Sequence, residues 1–239
     1  MSEPALHQAQ YSAGHHETWR FLYERQRANL VDKAAPLYLD SLDAMDSLTC
    51  STIPRVDAMA EQLKRTTGWG IQIVPGLIEV DVFFSLLANK KFCTSVWVRG
   101  ADQVDYIEEP DMFHDTYGHI PPLMDAMFAK FMHRFGEIGQ AMSEQPERIL
   151  ELQRLYWYFV EFGFVEYNGE PRIFGAGIMS SFGEANHAWS SRHNLLPFDL
   201  AEVMATPFIT TEIQSKYFVI DSISSVISQL NDWFNACKI

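Results

Sequence analysis

The stretch from Tyr106 to Pro122 constrains this chain more than any other, because it sets His114 and His119 five residues apart across Gly118. Pro110 suits the first helical position, where a missing N–H costs nothing. Asp111 then falls in the first turn, where a negative charge suits the helix dipole. Gly118 reads as the left-handed residue that ends a short helix, and Pro121-Pro122 stop it restarting. On an unbroken α-helix, side chains on one face lie three or four residues apart, so a five-residue step would turn the second ring away from the first. A break at Gly118 lets both rings converge. The pattern is read as two ligands of a metal site, and it calls for a third.

Glu161 is the candidate third ligand. It sits inside Tyr156 to Val165, one of the most apolar stretches of the chain. A lone buried carboxylate costs several kcal/mol unless it is paired, protonated or bound to metal. No Lys or Arg lies within a helical turn of it, Arg154 being too far back. Two imidazoles and a carboxylate form the facial triad of non-haem Fe(II) oxygenases. The same three side chains can hold Zn²⁺ for hydrolysis. Each residue also has a structural reading: histidines near helix ends are often structural, and a glutamate on an apolar helix is often half-exposed. Only their coincidence favours metal. His187 and His193, flanked by Trp189 and Arg192, are not expected as ligands. His15-His16 reads as solvated, and His133 as facing solvent or a neighbouring helix.

Composition narrows the class. The 239 residues, 47% hydrophobic and 21% charged, suit one large domain with an ample core. Aromatic residues make up 13% of the chain, which argues against disorder. No apolar run is long enough to span a bilayer, and Met1 to Gly14 lacks the apolar core of a signal peptide. Cys50, Cys93 and Cys237 form neither a zinc motif nor an evident disulfide framework, so a reducing cytoplasm is expected. The formal net charge of −13 argues against nucleic acid or an anionic membrane as partner.

Periodicity predicts a mostly α fold (α+β with short hairpins) in one domain over 15–239, after a frayed start at 1–14. Helices are expected from His16 to Ala34, from Pro36 to Leu48, and from Thr52 to before Gly68. Ile71 to Ile78 reads as extended with a turn at Pro75-Gly76. A helix with Val80, Phe83, Phe84, Leu87 and Ala88 on its apolar face follows, then a strand at Thr94 to Val98. Further helices are expected over Asp125 to Met142, with Met127 inward, and over Ser143 to Phe162. Asn168-Gly169 between two short apolar runs predicts a hairpin. The tail carries strand-like Tyr217 to Ile220 and a helix from Asp221 to Phe234.

The pattern Tyr-x-x-Glu-Pro-Asp-x-x-His-Asp-x-x-Gly-His-x-Pro, here Tyr106 to Pro121, resembles the iron-binding stretch of the aromatic amino acid hydroxylases. Leu155 to Gly163 is similar to the segment bearing that family's carboxylate ligand, and Gly175 to Glu184 to its active-site loop. Pro197 to Leu200 and Tyr217 to Ser222 are similar to bacterial members. The resemblance runs from about Trp19 to Ser222 with the motifs in order.

It implies a single-domain catalytic fold and a pterin-dependent monooxygenase converting phenylalanine to tyrosine with O₂. Fe(II), held by His114, His119 and Glu161, and tetrahydropterin would be the cofactors. Arg99 would grip the substrate carboxylate, oriented by Asp111. Trp157 would box the substrate ring, Ser180 would fix a ligand histidine, and Gly177, Ser181, Ile107 and Pro110 would belong to the same pocket. Phe83 would stack on the pterin, Val74, Gly76 and Ile78 would meet its edge, Asp115 would approach it, and Tyr156 would lie beside iron and pterin. Length and the absence of heptads imply no added regulatory domain and a monomer or weak homodimer, with a small-molecule substrate as the only partner. Some positions depart from the pattern: Phe159 stands for a threonine, Ile107 for a threonine of the animal enzymes, and Asn186 to Trp189 is unfamiliar. These leave open hydroxylation of tryptophan, or of phenylalanine at another ring position. A zinc hydrolase and a non-catalytic amino-acid sensor are the alternatives from other classes.

Overall fold

Helix α1, Ala13–Leu30, lays Trp19, Leu22, Gln26 and Leu30 along one buried face. Its start is fixed by Ser12, whose hydroxyl accepts from the His15 amide while the His15 ring accepts from the Ser12 amide. The computed structural model describes residues 11–105, 107 and 109–237. Most of the expected frayed start, residues 1–10, therefore lies outside the described residues, as does Tyr106 of the histidine motif. No described helix is long and apolar enough to cross a membrane.

Helices α2, Pro36–Asp43, and α3, Val56–Thr66, follow. Helix α3 ends where Gly68 takes φ +79°, and the amides of Thr67 and Gly68 both return to the Leu63 carbonyl. Strand β1, Gly70–Ile73, then pairs in parallel with β2, Lys91–Thr94, across helix α4, Val80–Ala88. The strand expected at Thr94 to Val98 thus lies three residues earlier. The ladder stops because β1 ends at Ile73, opposite Thr94. Beyond it the backbone donors turn to carboxylates: Ser95 N–H donates to Asp115 and Arg99 N–H to Asp111. This irregular segment is thereby fastened to the histidine motif.

Helix α5, Ala126–Ala141, is capped by Asp125, which accepts from the Met127 and Phe128 amides. Its inward face carries Phe128, Phe131, Met132 and Phe135, but Met127 is 41% exposed, against expectation, because it falls in the first turn on the solvent side. Helix α6, Pro146–Leu155, leads towards the site. A mixed sheet closes the other side in the order β4-β3-β6-β5. Its strands are β3, Phe164–Tyr167; β4, Glu170–Ile173; β5, Leu196–Pro197; and β6, Phe218–Ile220. The β3–β4 pair is the hairpin read from Asn168-Gly169, both at positive φ (53° and 80°), as a tight primed turn needs. The other pairings in this sheet are parallel, so among the described residues there is one hairpin rather than several. Helices α7, Ala176–Met179; α8, Phe182–Ser190; α9, Leu200–Ala205; and α10, Ile223–Ala236 complete the chain.

Candidate metal centre and its cavity

The two histidines do not straddle a helix end. Met112 and Phe113 begin a helix whose next six residues, His114–His119, form a π turn. Its i→i+5 bonding places residues five apart over one another, so the spacing that an α-helix would splay is brought together. The same device recurs after α6: Tyr156–Glu161 is a second six-residue π turn, with Tyr156 and Glu161 at its ends. Gly118 is therefore not a left-handed stop. Its place is set by a close approach: a Cβ there would lie 2.9 Å from the Ala176 carbonyl oxygen, at the start of α7. Pro110 falls just before the helix, and Asp111 acts as its cap, accepting from the His114 amide at 3.0 Å.

The two π turns deliver three donors to one point. His119 Nε2 lies 3.1 Å from His114 Nε2 and 3.1 Å from Glu161 Oε1, and His114 Nε2 lies 3.9 Å from Glu161 Oε2. Among the described residues this is the one group of three such side chains gathered closely enough to hold a metal ion. Ser180 settles the His114 tautomer. Its hydroxyl donates to the Ala176 carbonyl (2.9 Å), so its oxygen accepts from His114 Nδ1 (2.9 Å). The lone pair of His114 is then on Nε2, facing His119 and Glu161. Burial pushes the His114 ring below its ordinary value, against the pull of Glu161, so the neutral form is favoured. Burial pushes the Glu161 carboxyl up, but the His119 and His114 rings and the Tyr156 hydroxyl outweigh it and hold the carboxylate. A neutral His114 imidazole and a Glu161 carboxylate are protonation states that a divalent cation takes. His114 Nε2 and the Glu161 carboxylate, 3.9 Å apart and each 3.1 Å from His119 Nε2, suit a cation between them.

Backbone packing supports the cluster. A Cβ at Gly177 would meet the Phe162 ring at 2.9 Å and Glu161 Oε2 at 3.2 Å, so glycine lets α7 sit close to the carboxylate without displacing either side chain. Gln26, a polar residue on the buried face of α1, donates to the carbonyls of Ile178 (3.3 Å) and Ser181 (3.2 Å). Ser181 itself caps α8, accepting from the Glu184 amide.

Arg99 is 5% exposed and Asp111 fully buried. The Asp111 carboxylate accepts from Arg99 Nη2 (2.7 Å), Nε (2.9 Å) and backbone N (3.0 Å). Burial raises the Asp111 carboxyl, but the Arg99 bonds and charge, with the His114 and Arg99 amides, bring it below the ordinary range. One edge of the guanidinium is thereby fixed, and the two N–H groups of Nη1 are not taken up by Asp111.

A cavity of about 360 Å³ opens over the three donors. Of the residues read from sequence, Val74, Gly76, Ile78, Phe83, Pro110, Asp115, Tyr156 and Trp157 line it with the three donors themselves. Arg99, Ile107, Asp111, Gly177, Ser180 and Ser181 do not line it; apart from half-buried Ile107, on the segment before Pro110, they stand behind its wall or brace it. Phe83 meets Tyr156 edge-on, centroids 5.3 Å apart. Burial keeps the Asp115 carboxyl above its ordinary value although Ser95 donates to it at 2.7 Å. The sequence reading missed Phe92, stacked on His119 at 4.8 Å, and Cys93, whose thiol burial pushes up to about 12. It also missed Phe208 and Gln153. Phe92 and Cys93 were hidden by the shifted strand. Phe208 lies in a stretch with no periodicity, so no local signal marks it. Gln26 had one: an amide on an apolar helical face. His187 and His133 are engaged by the carbonyls of Gln214 and Ala88 and belong to no metal cluster among the described residues.

A mostly helical domain with a buried cluster of two histidines and one glutamate, under an aromatic cavity, defines a mononuclear metalloenzyme of the facial-triad kind. The chain belongs to the biopterin-dependent aromatic amino acid hydroxylases, whose family profile matches residues 2–238. It is 42% identical to phenylalanine-4-hydroxylase of Ralstonia nicotianae, over 89% of this chain and 67% of that one. It is 43% identical to the Caulobacter vibrioides enzyme of the same name, over 90% and 73%. Among solved structures, Chromobacterium violaceum phenylalanine hydroxylase with bound oxidised Fe(III) superposes with a TM-score of 0.89 at 36% identity, covering 95% of this chain and 84% of that one. A second structure of that enzyme, with iron(III) and 7,8-dihydrobiopterin, gives 0.86 at 36% identity, covering 95% and 83%.

Proposed function

We propose that the chain is an Fe(II)- and tetrahydropterin-dependent monooxygenase that hydroxylates the ring of L-phenylalanine to L-tyrosine with O₂. The observation that carries this is the three-donor cluster at the floor of an aromatic cavity, in a chain matched by the family from residue 2 to 238. One oxygen atom goes to the ring and the other to the pterin, which gives up two electrons. Iron and reduced pterin supply this oxidising chemistry, and the protein supplies orientation, donor electronics and exclusion of water.

In this reading His114, His119 and Glu161 hold the iron. Ser180 keeps the proton on His114 Nδ1, so that Nε2 remains a donor. Asp111 aims the Arg99 guanidinium from behind the cavity wall and leaves its Nη1 donors for the substrate carboxylate, once that wall admits it. Trp157 and Pro110 receive the substrate ring, with Ile107, Gly177 and Ser181 shaping the pocket behind them. Phe83 offers a face to the pterin, Val74, Gly76 and Ile78 its edge, and Asp115 and Tyr156 the side towards the donors. The same three donors can hold Zn²⁺ in hydrolases, and it is the family match over residues 2–238 that favours iron and pterin over that reading. The enzyme is read as cytoplasmic and monomeric, or at most a weak homodimer, supported by three unpaired cysteines and a net charge of −13.

The test is a product assay with Fe(II), tetrahydropterin and, in turn, phenylalanine, tryptophan and tyrosine. Tyrosine formed from phenylalanine, dependent on both cofactors, is the expected result. No tyrosine, or full activity with Zn²⁺ and no pterin, overturns the assignment.

A further inference from the structure

The segment between α9 and β6 has no regular structure, yet Gln214 and Phe208 tie it to the cavity wall. Gln214 is 6% exposed, and its polar groups are all engaged. Its Nε2 donates to the carbonyls of Ile209 (2.9 Å) and Glu212 (3.0 Å). Its backbone N–H donates to Glu184 Oε1 (3.3 Å), and its carbonyl lies 3.1 Å from His187 Nε2. The two donations from Nε2 fix which way the amide faces. Oε1 is left as an acceptor, and it takes the indole N–H of Trp157 at 2.9 Å. Phe208, on the same segment, stacks on that indole with centroids 4.5 Å apart and planes at 16°. Trp157 and Phe208 both line the cavity.

We propose that Gln214 is a positioning residue: it sets the orientation of Trp157 and keeps Phe208 against it, so that this aromatic wall holds the shape that receives the substrate ring. The inference rests on the function proposed above. A stack alone permits the indole to slide and turn in its plane, whereas a hydrogen bond at the ring edge fixes that rotation. Removing the acceptor leaves a half-buried N–H without its partner, which favours a shift of the ring towards another acceptor. Gln214 is thus coupled to substrate selection through its bond to Trp157, beside the direct contact that Phe208 makes with the same ring.

The experiment uses the iron-loaded enzyme, with phenylalanine and tetrahydropterin varied separately. Gln214→Leu is expected to raise the KM for phenylalanine about ten-fold, equivalent to about 1.4 kcal/mol. It should leave the KM for tetrahydropterin and the iron content unchanged and alter the preference for phenylalanine over tryptophan. In a Trp157→Phe background, which has no indole N–H, the same substitution should add no more than about two-fold. A merely structural role gives the same factor in both backgrounds, and that result, like an unmoved KM in Gln214→Leu, overturns the proposal. Gln214→Met, unbranched and without either hydrogen-bonding group, replaces Gln214→Leu if the latter does not fold. A wild-type enzyme that makes no tyrosine refutes the function and this inference together; active wild type with an unmoved KM refutes this inference alone.

Discussion

Ser180 holds His114 in one tautomer: the serine hydroxyl gives its proton to the Ala176 carbonyl and accepts from His114 Nδ1 at 2.9 Å. A ring held this way presents a lone pair at Nε2 without first losing a proton. Ser180→Ala should therefore weaken iron binding about 10- to 100-fold, the usual cost of losing such support. Titration of the apoprotein with Fe(II) under anaerobic conditions measures it, and an unchanged affinity would show the contact to be incidental.

The donors themselves should behave differently from their support. His119→Ala and Glu161→Ala each remove one of three converging atoms. Both variants are expected to lose bound iron and to form no tyrosine while reduced pterin is supplied in excess. Turnover at the wild-type rate in either would show that the donor set is misassigned.

The Arg99–Asp111 pair is closed to solvent, so its loss should appear in stability as well as in binding. Asp111→Ala strands a buried guanidinium and removes the helix cap from the His114 amide. Breaking one partner of a buried pair costs roughly 3–5 kcal/mol. Urea unfolding should show a loss of this order, whereas a loss below 1 kcal/mol would mean that solvent reaches the pair.

Phe83 stands edge-on to Tyr156 and faces the cavity. If it stacks on the pterin, Phe83→Ala should raise the KM for tetrahydropterin by roughly two- to ten-fold, the range of an aromatic pair contact. The KM for phenylalanine should hardly move. Steady-state kinetics with each substrate varied separately decides this, and an unaltered pterin dependence would exclude the stack.

How much of this was legible in the chain depended on whether the signal was local. The hairpin at Asn168-Gly169 follows from residues adjacent in sequence and stands where it was expected, and the helix expected from Asp125 starts at Ala126. The convergence of His114, His119 and Glu161 was also foreseen, but for an incomplete reason. An α-helical period made a five-residue step look like a turn-breaking gap to be rescued by Gly118. The π turns instead make five the natural repeat, and Gly118 is needed for the approach of Ala176, a partner far away in sequence. The strand at Thr94 to Val98 slipped for a related reason: apolar alternation continues past Thr94, but β1 offers no partner there and Asp111 and Asp115 take the amides. Phe208 joins the cavity wall, and Gln214 braces that wall through Trp157, only by tertiary contacts, which no window along the chain contains.

Glu184 should leave a signature in the pH dependence of stability. It lies in α8, accepting from Gln214 N–H and from the Tyr217 hydroxyl (3.1 Å). Burial pushes its carboxyl above the ordinary 4.5, although these two donors and the His187 ring pull the other way. With the folded value raised, the folded chain binds the proton more tightly than the unfolded one. Its contribution is fully present below pH 4.5 and is lost as the pH rises through the folded value. Glu184→Gln cannot ionise and should not show that loss. Thermal unfolding from about pH 4 to 7 should therefore find the difference in Tm moving in favour of the variant as the pH rises. Parallel curves for the two proteins would mean that Glu184 titrates alike in the folded and unfolded chains and that its burial carries no cost.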